Sequence, residues 1–196
     1  MTHTTKHSER APDPVRILSV YLNDHLAGAG AGVALFRRMS QTHTGTPAGR
    51  RLTELTAEVT EDRESLREIM TALDVPLMHH KILLGILAER AGRLKLNGRL
   101  VSRSPLSTIL ELEAARVGVE GKKELWRTLR ALSRTNSRID GEAVGRLLAR
   151  AERQTDALET MRLSALELTF HSRPGSGSSP TPRGGGISWR RSRAHR

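Results

Sequence analysis

The spacing of apolar residues constrains this chain more than any other feature. Leu18, Leu22, Ala29, Val33 and Phe36 recur at three- and four-residue intervals with His25 among them, the period that places side chains on one face of an α-helix. Asp13-Pro14 precedes the run as an N-cap followed by proline at the first helical position, so a helix is expected over about 14 to 42. After "HTGTP" the signature repeats: Thr46-Pro47 opens a second helix whose stripe is Leu52, Leu55, Val59, Leu66, Ile69 and Leu73, with Asp62 set into it, ending near Asp74 before Pro76. Leu83, Leu87, Ala91 and Leu94 predict a helix over about 79 to 96. Asn97-Gly98 suits a two-residue hairpin turn, but the alternation around it is short, and a left-handed helix cap is preferred. Two short helices follow, about 105 to 117 and 121 to 133, divided at Gly118. Asp140 caps a last long helix, to about 170, with Val144, Leu148, Ala151, Leu158, Met161 and Ala165 inward.

The fold class is therefore all-α, an up-down helical bundle. Aromatic residues make up only 3% of the chain, a composition that suits helices better than sheets. The absence of cysteine excludes disulfides, thiolate catalysis and cysteine-based zinc sites. No apolar run approaches the roughly 20 residues of a membrane span. "MTHTTKHSERAPDP" lacks the apolar core of a secretory signal, and a cytoplasmic protein is expected. The expected organisation is a disordered segment 1–13, a bundle 14–171 and a disordered Gly/Ser/Pro/Arg-rich tail 172–196. Of the net charge of +11, six arginines lie in that acid-free tail, which leaves a surplus of five on the rest. Arg190, Arg191, Arg193 and Arg196 of the tail are candidates for weak, nonspecific contacts with nucleic-acid phosphates.

"HLAGAGAGVAL" sits inside the first expected helix. A dinucleotide-binding fingerprint needs G-x-G-x-x-G after a strand, whereas Val33 stands where the third glycine would be and no strand precedes. In a helix each glycine costs about 1 kcal/mol relative to alanine, so three ask for a reason. Gly28 and Gly32 share a face, and the expectation is close approach of another helix backbone. Room for a bulky neighbour and compositional drift are the alternatives.

The polar residues on apolar stripes are the candidate chemistry. His25 and Asp62 lie at nearly equal distances from the turn centred near residues 44 and 45, so an antiparallel hairpin brings them within one helical turn of each other, with Asp24 and Arg63 beside them. Buried, such groups must be paired. One reading is a His25–Asp62 hydrogen bond that fixes helix register. The other is a bundle-core site for a divalent metal or small ligand, completed by Glu113 and Gln154. The remaining histidines are weaker: His79 and His80 point to different helix faces, and His3 and His7 lie in the N-terminal segment. Neither H-E-x-x-H nor G-x-S-x-G occurs.

The long-helix hairpin, crossover and final long helix resemble the ferritin-like superfamily. "YLNDHLAGAGAGVAL", "GRLKLNGRL", "RSPLS" and "GKKELWRTL" are also similar to an uncharacterised bacterial family of ferritin-like bundles, over residues 15 to 170. The superfamily's di-iron members carry Glu-x-x-His on two helices. Here no Glu or Asp is followed by His three residues later, and only Asp24 and Glu58 or Asp62 loosely match the carboxylate positions. The resemblance thus implies a bundle without implying iron oxidation. The expected function is a non-enzymatic bundle acting in protein interaction or assembly, as a homo-oligomer or with a protein partner, and with no resident cofactor. A metal-binding bundle and nonspecific nucleic-acid association are the alternatives.

Overall fold

The computed structural model describes residues 13–78 and 105–170. Among the described residues four helices make up a bundle: α1 Pro14–Thr42, α2 Pro47–Ala72, α3 Pro105–Leu132 and α4 Gly141–Phe170. Among the described residues there is no strand, and no helix is long and apolar enough to cross a membrane. The helix expected over 79 to 96, its Asn97-Gly98 cap, and both terminal segments lie outside the described residues.

The helix starts follow from side-chain oxygens that meet otherwise unpaired amides. The Asp13 side chain accepts from Val15 N at 3.0 Å, and Thr46 Oγ1 accepts from Gly49 N at 3.0 Å. Asp140 Oδ1 accepts from the amides of Ala143 and Glu142, both at 2.9 Å, and these donors hold its carboxyl below the usual carboxylate range. Between α1 and α2 the chain reverses at Gly45, whose φ of +80° favours glycine. Asn23, buried on α1, anchors the chain leaving α2: its side chain donates to Pro76 O at 3.1 Å and accepts from Met78 N at 2.8 Å.

The expected division at Gly118 does not occur, and α3 runs unbroken through Gly118 and Gly121. The cost of a glycine is local, about 1 kcal/mol. Against it stands one continuous buried stripe, Leu112, Ala115, Val119, Trp126 and Leu129, whose packing sustains the helix across both glycines.

Named contacts fix the directions. Arg38 of α1 meets Glu111 near the start of α3 at 3.1 Å, and Tyr21 Oη donates to Thr128 Oγ1 near its end at 3.2 Å, so α1 and α3 are antiparallel. Arg150 of α4 meets Glu61 of α2 at 2.8 Å, and Arg138, just before α4, pairs with Asp74, just after α2. Helices α2 and α3 therefore run in the same direction, with Met78 and Pro105 at opposite ends of the bundle. The core is the shared interior, where Leu22, Phe36 and Met39 of α1 and Leu55, Leu66 and Met70 of α2 meet Trp126 and Leu129 of α3 and Leu158 of α4.

Candidate functional site: a buried polar network beside a glycine-walled cleft

At mid-height the apolar interior gives way to a polar network. Asp62 on α2 is 1% exposed. Its Oδ1 accepts from Arg150 Nε at 2.7 Å and forms a closer ion pair with the same guanidinium. Its Oδ2 accepts from the Lys122 ammonium and from Gln154 Nε2 at 3.2 Å. An ionised carboxylate offers about four lone-pair positions, and this one meets four donors. Gln154, fully buried on α4, is orientated by its neighbours: Oε1 accepts from Lys122 Nζ at 2.6 Å, while Nε2 also donates to Glu58 Oε2 at 2.9 Å. Arg51 lies 3.6 Å from Glu58 and extends the network towards solvent.

Burial pushes the Lys122 ammonium below its ordinary pKa, and the adjacent Asp62 charge and hydrogen bond work in the opposite direction. The unfavourable desolvation of each ion is thus met by an opposite charge and by hydrogen bonds from three helices.

The sequence-predicted residues are only partly brought together. Asp62 and Gln154 share the network. His25 and Asp62 line one cleft, but the His25 ring packs edge-on against Tyr21, 4.6 Å between centroids, and Asp62 accepts from Lys122, Arg150 and Gln154 in place of the expected histidine. Burial lowers the His25 pKa, opposed by the Asp24 charge. Asp24 itself is exposed. Glu113 is also exposed and faces Arg162 at 3.9 Å, away from the network. Among the described residues no group of three or more histidines and carboxylates is placed to hold a metal ion. Arg190, Arg191, Arg193 and Arg196 lie outside the described residues.

Lys122 and Arg150 are the members that the sequence reading missed. The stripe Ala115, Val119, Lys122, Trp126 and Leu129 carries the signal for Lys122, but it is visible only if the helix continues past Gly118.

Next to the network a cleft of about 410 Å³ opens between α1 and α3, floored by α2. Its walls carry Gly28 and Gly32 from α1 and Gly118 and Gly121 from α3, and its floor carries Val59, Asp62 and Leu66. A Cβ built on any of these four glycines meets no heavy atom within 4 Å. Gly28 and Gly32 therefore do not seat another backbone, contrary to the close-packing expectation. Without side chains at these positions, the space between the two facing helix surfaces stays open. The size falls within the range of small-molecule sites, roughly 300–1,000 Å³. His25, Lys122 and Trp126 line the same cleft.

No family model, curated protein or solved structure matches this chain.

Proposed function

We propose that the chain is a non-enzymatic helical-bundle binding protein, with the cleft between α1 and α3 as its recognition surface and the Asp62 network as the key that fixes helix register. The observation that carries this reading is the conjunction of two facts. The buried Asp62 carboxylate has both oxygens occupied by donors from α3 and α4, and the cleft beside it is lined by glycines on which an added Cβ would meet nothing within 4 Å. The first favours a structural role for the polar cluster; the second leaves room for something to bind. The up, down, down, up helix order supports the ferritin-like resemblance, since such bundles carry one lengthwise connection. The metal-binding alternative is weaker, because the Lys122 ammonium and the Arg150 guanidinium stand where a cation would approach Asp62.

A neutral solvatochromic dye tests the cleft directly. The expected result is saturable dye fluorescence with the native chain, lost in Gly32→Leu, whose side chain enters the cleft. Equal dye binding by a folded Gly32→Leu protein would overturn the assignment.

A further inference from the structure

One side of the bundle lacks the charge that a water-facing helix carries. Exposed positions on α2 include Glu54, Glu61, Glu64 and Glu68, and those on α4 include Glu142, Arg146, Glu152 and Arg153, the pattern of surfaces that meet solvent. Between Ile17 and Phe36 of α1, by contrast, Asp24 is the sole carboxylate and no lysine or arginine occurs. Val20, Gly28 and Ala31 are nevertheless exposed there. On α3, Leu106, Leu110 and Val117 form an exposed apolar stripe at helical spacing. Gly28 and Val117 line the cleft between these two helices, so both uncharged surfaces border one groove. A contiguous apolar surface of this kind marks a docking site.

The chain itself supplies an occupant. Asn23 Oδ1 accepts from Met78 N at 2.8 Å, so the backbone leaves α2 beside residue 23 of α1. The contacts of Arg38 with Glu111 and of Tyr21 with Thr128 set the α1–α3 register, which puts Pro105 opposite Thr44. At the rise of an α-helix those two levels are about 32 Å apart along the bundle. Residues 79–104 bridge them. The helix expected over 79 to 96 covers about 27 Å of that distance, and the rest of the segment makes the turn into Pro105. Its stripe of Leu83, Leu87, Ala91 and Leu94 needs an apolar surface to cover. The charged outward faces of α2 and α4 offer none.

The register is specific. Counted at helical rise from the Met78–Asn23 contact, Leu87 comes to the level of Gly32. The α1–α3 register places Val117 at that same level.

We propose that residues 79–104 dock lengthwise on the groove between α1 and α3, with the Leu83, Leu87 and Leu94 stripe packed against the exposed apolar side chains of both helices. A segment tethered beside the groove at both ends has a high effective concentration there, which favours it over a second copy of the chain. This goes beyond the reading of the cleft as a recognition surface, and its test needs no cleft ligand.

The chain has no cysteine, so introduced pairs report without background. Leu87→Cys with Val117→Cys is expected to be joined within the monomer by a short bis-maleimide. Ala57, exposed on the outward face of α2, stands at the same level by the α1–α2 hairpin register, and Leu87→Cys with Ala57→Cys is expected to stay unjoined. Crosslinks between chains would give the groove to a second copy and overturn the proposal. Equal crosslinking of the two pairs, or of neither, overturns it as well. A crosslink can trap a passing encounter, so melting supplies a second reading. Leu87→Asp is expected to lower the melting temperature by several degrees, whereas a charge placed on a water-exposed side chain leaves it nearly unchanged. An unaltered melting temperature overturns the docking even where the crosslink forms. Neither reading depends on dye binding, so the recognition cleft and the docked segment fail separately.

Discussion

Asp62 and Lys122, sixty residues apart in sequence, form a buried ion pair across α2 and α3, two parallel helices that no short turn could join. Arg150 and Gln154 reach the same carboxylate from α4. One side chain thus ties three helices at a single level.

Removing that carboxylate leaves the Lys122 ammonium buried with only Gln154 Oε1 as its acceptor. Asp62→Ala is expected to cost about 3–5 kcal/mol, the usual penalty for stranding one member of a buried pair. Adding Lys122→Met removes the stranded charge, and the double variant is expected to regain about 1–3 kcal/mol relative to the sum of the single changes. Guanidinium denaturation midpoints measure both. Strict additivity would show that the two residues do not act on each other.

Chelation separates this network from a metal site. A ligand bound only to the folded state stabilises it by mass action, so stripping a bound metal lowers the melting temperature. With Asp62 saturated by protein donors, the melting temperature of the native chain is expected to be the same with and without chelator, and so is that of Asp62→Ala. A fall in the native chain alone would make Asp62 a metal ligand.

Local signals made much of the fold legible. Asp13-Pro14, Thr46-Pro47 and Asp140 mark helix starts through chemistry confined to a few residues, and the structure begins α1, α2 and α4 at those points. Gly118 misled because a local breaker competes with a stripe of buried contacts that only the folded partners supply. The site was half legible for a related reason. Asp62 and Gln154 stand out as polar residues on apolar stripes, and hairpin arithmetic pairs His25 with Asp62, two residues that line one cleft. Sharing a level does not specify a bond. Lys122 falls on the α3 stripe only once that helix is continuous, and Arg150 reaches Asp62 with a long side chain from a helix far away in sequence, a reach that spacing does not anticipate. The glycines needed the structure as well, because identical sequence spacing serves close packing and open space equally.

The glycine faces yield a contrast within one chain. At Gly28 and Gly32 an added methyl group meets nothing within 4 Å, and neither residue has a positive φ. Alanine there is expected to stabilise by about 0.5–1 kcal/mol per site through helix propensity alone. At Gly49 the added atom would run into the His43 carbonyl, with His43 C at 2.7 Å, backbone that cannot rotate away. Gly49→Ala is expected to destabilise, since the α1–α2 turn must shift. Thermal melts of the three variants check the ordering. A destabilised Gly28→Ala would show that a neighbour does press on that face.

His25 supplies the pH dependence. Burial lowers its pKa from the ordinary value of 6.5, with Asp24 opposing, while Arg63 and Lys122 from the facing helices line the same cleft together with the paired Asp62. A folded pKa below the unfolded one means that the unfolded chain binds more protons between the two values. The contribution from His25 is therefore fully present above pH 6.5 and is lost as the pH falls through the lower folded value. The native chain is expected to lose stability over that window, and His25→Gln to lose less of it. Titration of the His25 ring by NMR reads the pKa itself, with a midpoint expected below 6.5. A midpoint above it would mean that the carboxylates of Asp24 and Asp62 outweigh burial, and the slope of stability with pH at this residue would then reverse.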